Sequence, residues 1–324
     1  MSPLWKCFIA CMLVVQCVFL INIYNWQPSR KKNVPKKFVG FHLNYGRLGN
    51  QLFHLITGYG IARTLNRTHY LPFEDGVIQH VEKYLNHFKK VFPRLEQTYV
   101  IAQNGTTELT VSFAGSCCVY DEPLRLSNIT NKYLLLGFYF GQNPRYFEKY
   151  LPDVRNILQF SEEMQRNGSE VIDPLMMDHS NSLCIHIRRT DFIERNISTN
   201  MTETVRAANT IARKGNISRF LIFGDDKEFM RNMSHEIVAD GHWKANFQAA
   251  YVSEFDEYTD LYAASRMCKA FLITAVTSSF GWWLAFFIPD QNAVYYLPDT
   301  RKHADKTPSK ELFLLVFSKK TLKG

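Results

Sequence analysis

Between positions 7 and 24 the chain is almost continuously apolar, interrupted only by Gln16 and Asn22. That length is about the 17–25 residues a membrane-spanning helix needs. Beyond it the pattern changes to short apolar runs alternating with segments of helical period. Strands alternating with helices predict an α/β fold with parallel sheet covered on both faces. In the first half, 38–43 reads as a strand, 46–50 as a glycine-rich turn, and a helix starts at about Gln51. Leu52, Phe53, Leu55, Ile56, Tyr59, Ile61, Ala62 and Leu65 give that helix a broad apolar face. Residues 132–140 read as a further strand. The stretch 161–180 contains Gly168, Pro174 and few periodic apolar positions, and reads as a connection between two halves. The second half alternates more cleanly: strands at 182–187, 219–223, 270–275 and 293–297, helices at 203–214, 257–267 and 279–287. There is no internal repeat.

This organisation predicts a cytosolic tail (1–6), an uncleaved signal-anchor (7–24), a stem (25–37), an N-terminal half (38–165), a C-terminal half (166–300) and a basic tail (301–324). A cleaved signal peptide is the competing reading, but Tyr24-Asn25-Trp26-Gln27-Pro28 lacks the small-x-small site that cleavage prefers. Arg30, Lys31, Lys32, Lys36 and Lys37 follow the span and only Lys6 precedes it, so the positive-inside rule taken literally leaves the body in the cytosol. Eight Asn-x-Ser/Thr sequons, at Asn66, Asn104, Asn128, Asn167, Asn196, Asn200, Asn216 and Asn232, argue the opposite, a luminal body.

Three of the seven cysteines, Cys7, Cys11 and Cys17, fall in the apolar stretch. Cys117, Cys118, Cys184 and Cys268 remain, and an oxidising lumen permits any pairing among them. A vicinal Cys117–Cys118 bridge is strained, so bonds from that pair to elsewhere are expected, while Cys184 reads equally well as an inert core thiol. No Cys/His spacing resembles a zinc site. The net charge of +8 suits an acidic ligand, yet much of it flanks the apolar stretch or sits in the tail, and a luminal body makes nucleic acid an unsuitable partner.

The candidate chemistry begins at His186-Ile187-Arg188-Arg189-Thr190-Asp191, at the end of the strand over 182–187. Guanidinium groups grip phosphate oxygens as planar forks, and the carboxyl end of a parallel strand is where ligands bind in open α/β sheets. An arginine pair alone is more often a solvated or salt-bridged surface feature. Here two further blocks accompany it: Gly46-Arg47-Leu48-Gly49-Asn50-Gln51-Leu52-Phe53, and Leu272-Ile273-Thr274-Ala275-Val276-Thr277-Ser278-Ser279-Phe280-Gly281-Trp282-Trp283, preceded by Tyr258-Thr259-Asp260-Leu261-Tyr262.

Together, in this order, the three blocks resemble the α-1,2-fucosyltransferases of glycosyltransferase family eleven; the arginine block alone is shared with other fucosyltransferases. The resemblance implies a GT-B-like α/β architecture, two Rossmann-like halves facing a cleft. It also implies inverting transfer of L-fucose from GDP-fucose to a galactose-terminated acceptor in the Golgi, with no metal and no other cofactor. The absence of an Asp-x-Asp agrees with that; Asp225-Asp226 has the wrong spacing and reads as a solvated turn or a nucleotide-edge contact.

Matched to the chemistry, Arg188 is assigned to the diphosphate, and Arg189 to the diphosphate or to Asp191. Asp191 is the first choice as base, with Glu194 and His186 in reserve; a merely structural pairing of Asp191 with an arginine is the alternative. His186 could instead orient the donor phosphate. Ser278 and Ser279 read as an anion site at a helix start, or as plain N-capping by Ser279. Trp282 and Trp283 read mostly as core, and Phe280 or Trp282 could instead wall the sugar pocket. Arg47, Asn50 and Gln51 face the cleft, or the two amides stabilise the turn and cap the helix. Other linkages, and a catalytically silent glycan-binding protein, remain as alternatives.

Overall fold

The computed structural model describes residues 35–179, 181–240, 249–299 and 301; the apolar stretch 7–24 and most of the basic tail lie outside them. Among the described residues no helix is long and apolar enough to cross a membrane.

Two five-stranded parallel sheets organise the body. The first contains β1 (Phe38–Phe41), β2 (Thr68–Leu71), β3 (Tyr99–Ile101), β4 (Leu109–Val111) and β5 (Tyr133–Leu136), in the order β3-β2-β1-β5-β4. The second contains β6 (Ser182–Ile187), β7 (Arg219–Gly224), β8 (Ala249–Val252), β9 (Cys268–Ile273) and β10 (Val294–Tyr296), in the order β10-β9-β6-β7-β8. All six residues of β6 are buried, as befits a central strand covered on both faces. In this sheet the chain leaves β6 toward β7 and later returns to pair β9 on its other side. That reversal opens a crevice beyond the carboxyl ends of β6 and β9, where ligands bind in such sheets.

Helices α1 (Leu48–Thr64) and α2 (Val77–Val91) follow β1 and β2, and α3 (Leu151–Ile157) and α4 (Glu162–His179) lead to the second sheet. There, α5 (Thr190–Ile193), α6 (Met201–Gly215), α7 (Lys227–Asp240), α8 (Glu257–Met267) and α9 (Ser279–Phe287) complete the fold. The expected connection at 161–180 is therefore helix α4. Its stripe is Met164, Gly168, Ile172 and Leu175; a glycine holds one of the four places, which hides the period from a count of apolar residues. A Cβ at Gly168 would stand 2.4 Å from the Tyr262 ring, so the backbone itself makes that contact.

The predicted strand at 38–43 stops at Phe41, and α1 begins at Leu48, three residues before the expected start. Part of the glycine-rich turn is thus the first helical turn. Thirteen of the seventeen residues of α1 are buried because it lies between the first sheet and α9. One apolar core runs from Val39 to Val294 and draws on both sheets, with Phe53, Trp282 and Trp283 at their junction.

Cys184 and Cys268 form a disulfide between adjacent strands, so Cys184 is not the free core thiol that its strand permits. Cys117 and Cys118 pair with each other, against the expectation of bonds elsewhere. Both partners that remain for them in the chain's body are already joined in the sheet interior.

Candidate active site

A cavity of about 760 Å³ opens between the carboxyl ends of the two sheets. The first sheet contributes the segment from Leu43 to Asn50 after β1, Glu74 and Val77 after β2, and Tyr139, Phe140 and Gln142 after β5. The second contributes Arg188, Asp191 and Phe192 after β6, Glu257 at the start of α8, and 277–280 leading into α9.

The two arginines diverge where β6 has ended and the backbone at Arg189 (φ −134°, ψ −57°) already turns into α5. Arg188 faces the cavity, only 12% exposed at its side chain. Its Nη1 meets Asp225 Oδ2 at 2.7 Å, and its Nη2 donates to Asp191 Oδ1. Arg189 turns away: its Nε donates to Asp226 Oδ2 at 3.0 Å and its guanidinium lies 3.9 Å from the Phe229 ring centre. Arg189 therefore meets neither the cavity nor Asp191, the two places expected for it. Asp225 also accepts from the Arg189 backbone N–H (2.9 Å) and the Thr190 hydroxyl (2.6 Å), which fixes the whole turn. Asp225-Asp226 is not a solvated turn; both carboxylates are half-buried clamps for the arginine pair.

Asp191 receives a second guanidinium from across the cavity, Arg47 Nη2 at 3.1 Å. Burial alone raises the Asp191 carboxyl, but the hydrogen bond and charge of Arg188 outweigh it, and the net shift is downward. Glu257 behaves oppositely: burial pushes its carboxyl up, with the positive field of Arg188 working against that.

The other two sequence blocks are pressed together. Trp283 Nε1 donates to the Gly49 carbonyl at 3.0 Å, and Ser279 Oγ donates to Asn50 Oδ1 at 2.7 Å. A Cβ at Gly49 would come within 2.6 Å of the Phe280 backbone nitrogen, so this glycine serves the packing of α1 against α9. Asn50 Oδ1 also accepts from Gln142 Nε2 at 2.6 Å. Asn50 thus lines the cavity as a brace between halves, whereas Gln51, 1% exposed, is turned inward to donate to the Asn44 and Gly46 carbonyls at 2.9 and 2.8 Å. The N-cap of α9 is Ser278, whose hydroxyl accepts from the Gly281 N–H, rather than Ser279. Ser278, Ser279 and Phe280 all border the cavity, so the start of this helix forms part of its wall.

His186 is 1% exposed beneath Gly281, where a Cβ would meet its Nδ1 at 2.4 Å, and it does not border the cavity. Burial holds its ring down at about 4, with the Asp225 carboxylate opposing. Glu194 is exposed and likewise outside the cavity wall.

Sequence reasoning passed over Glu74, Tyr139 and Glu257, and gave Asp225-Asp226 no part in holding the two arginines. The signal was available: Asp225 and Glu74 stand just beyond the carboxyl ends of β7 and β2, the positions a parallel sheet presents to its ligands. All eight sequon asparagines are exposed. Three of them, Asn66, Asn196 and Asn216, adopt left-handed backbone, a conformation asparagine tolerates.

The model of glycosyl transferase family 11 matches residues 119–314. A Caenorhabditis elegans protein provisionally named a glycosyltransferase is 32% identical over 280 residues, 81% of this chain and 73% of its own. A galactoside 2-alpha-L-fucosyltransferase of the same organism is 26% identical over 300 residues, 85% of this chain and 73% of its own. Among solved structures, the fucosyltransferase NodZ from Bradyrhizobium aligns with a TM-score of 0.49 at 12% identity, covering 78% of this chain and 94% of that one.

Proposed function

The chain belongs to glycosyl transferase family 11, and from that premise we propose that it transfers L-fucose from GDP-fucose to O-2 of a terminal galactose on glycoprotein or glycolipid glycans. The observation that carries the donor half of this reading is Arg188 at the carboxyl end of β6, held at the cavity wall by Asp225 beside the start of α9.

GDP departs as a diphosphate, so charge grows on the β-phosphate oxygen as the bond to fucose breaks. Arg188 and the α9 amides are fixed donors for that charge, and a fixed dipole needs no reorganisation during the reaction. Asp191 holds part of the Arg188 fork; a diphosphate oxygen takes that place when donor binds, while Asp225 keeps the guanidinium aimed. The same donors supply the positive charge that a divalent metal would otherwise provide, which is the basis for reading the reaction as metal-independent. Attack by the acceptor oxygen from the facing half inverts the anomeric carbon in the manner of a GT-B enzyme.

The placement proposed for this body is the Golgi lumen, behind a type II anchor at 7–24. Eight exposed sequons and the Cys184–Cys268 disulfide support an oxidising, glycosylating compartment. The test is transfer by detergent-purified full-length protein from GDP-fucose, in EDTA, to a panel of terminal β-galactosides. Fucose on galactose O-2, lost in Arg188→Ala, is the expected result. Transfer to another hydroxyl overturns the linkage, and dependence on added metal overturns the charge argument. Glycan binding without GDP-fucose binding points to the silent lectin-like protein instead.

A further inference from the structure

We propose that Glu74 is the general base that receives the acceptor's proton, with His42 as its positioning residue; this rests on the reading of the chain as an inverting fucosyltransferase. Three carboxylates border the cavity: Glu74, Asp191 and Glu257. Inverting displacement places the leaving group and the base on opposite faces of the sugar. Arg188 and the start of α9 define the leaving-group wall, and both belong to the second sheet. Asp191 and Glu257 stand on that same wall. Asp191 is moreover committed to Arg188 and to Arg47, and a carboxylate shared by two guanidiniums is a poor proton acceptor. Glu74 alone among the three comes from the facing half.

Its setting is built for orientation. Glu74 Oε1 lies 2.6 Å from His42 Nδ1, and Oε2 accepts from the Leu43 N–H at 3.0 Å. Each oxygen keeps a further lone-pair direction for a hydroxyl. The His42 ring is in turn stacked 4.8 Å from the Tyr139 ring at 21°, and Tyr139, 54% exposed, forms cavity wall next to Phe140. The apolar face of a galactose against these rings brings a sugar hydroxyl to the Glu74 side of the cleft. In the step itself the acceptor O–H proton passes to the Glu74 carboxylate as the acceptor oxygen bonds to fucose C1. The bond from C1 to the β-phosphate oxygen breaks, its electron pair leaves with GDP, and Glu74 then returns its proton to water.

The experiment uses full-length protein in detergent and measures GDP-fucose affinity separately from transfer. Glu74→Gln is expected to keep donor affinity within about threefold while kcat falls roughly 10²–10⁴-fold, the range for loss of a general base. Glu74→Asp, which keeps the acid on a shorter stem, falls between the two and decides the matter if the glutamine variant fails to fold. His42→Gln, which can still donate to the carboxylate, keeps more kcat than His42→Ala, with the donor KM unchanged in both. A Glu74→Gln enzyme with kcat within threefold of wild type overturns the proposal. So does an Asp191→Asn enzyme that binds donor normally but transfers nothing while Glu74→Gln still works. Wild-type protein that neither binds GDP-fucose nor transfers fucose overturns the fucosyltransferase reading as well, whereas the first two results overturn the role of Glu74 alone.

Discussion

Three histidines, His54, His69 and His186, lie inside the fold at 2%, 1% and 1% exposure. Both ring nitrogens of His54 and His69, and Nδ1 of His186, have no hydrogen-bond partner. Burial holds His69 down at about 3 and His186 at about 4, and burial, helped by the neighbouring His69, lowers His54 as well. In the unfolded chain each titrates near its ordinary 6.5. Between that pH and the folded value the unfolded state binds protons that the folded state does not, so stability is lost as pH falls through this window. Taking the protein from pH 7 to pH 5 favours unfolding by about 2 kcal/mol for each of His69 and His186, or about 4 for the two, and His54 acts in the same direction.

Asp260 opposes this. It is 5% exposed and burial pushes its carboxyl up to about 7, so it binds a proton in the folded state first and returns about 2 kcal/mol over the same interval. Glu108 and Glu257, also raised by burial, act in the same direction. A net loss of about 2 kcal/mol remains from His69, His186 and Asp260, a sizeable share of the 5–15 kcal/mol typical of folded domains. Urea unfolding at pH 7, 6 and 5, at constant ionic strength, measures it. His69→Leu, close in volume and unable to titrate, is expected to lose about 2 kcal/mol less than wild type over that interval. Equal stability at pH 7 and pH 5, or an unchanged pH dependence in His69→Leu, refutes the account.

Asp225→Asn removes the charge that aims Arg188 and fixes the following turn; donor KM is expected to rise about tenfold or more, since charge-assisted hydrogen bonds contribute about 1.5–3 kcal/mol, as initial-rate kinetics in GDP-fucose will show. Gly49→Ala drives a methyl against the Phe280 backbone and is expected to lower stability by about 1–3 kcal/mol in thermal denaturation, with activity falling as α1 and α9 separate. Replacing Cys184 and Cys268 together by alanine opens a crosslink spanning 84 residues and is expected to cost about 2–4 kcal/mol in the same assay.

What the sequence determined by itself was local. The period of apolar residues located most strands and helices of the second half, because buried parallel strands and amphipathic helices write their periods directly into the chain. It missed α4, where Gly168 stands in an apolar stripe, and it placed the start of α1 late, because a glycine-rich segment reads alike as turn or as helical turn. The three blocks were legible as candidates, since arginines at a strand end and hydroxyls at a helix start have chemistry of their own. Tertiary structure decided which side chains reach the cavity. The turn from β6 into α5 sends Arg188 toward the ligand space and Arg189 to Asp226, a division that depends on where β6 ends. Gly49 and Gly281 turned out to serve close packing, of α1 on α9 and of α9 on His186, because contact between segments far apart in the chain leaves no mark in local spacing. Asp225 and Glu74 acquire their roles only when β7 and β2 are laid beside β6 and β1. An isolated carboxylate in sequence says nothing about which cation or histidine the fold will set against it.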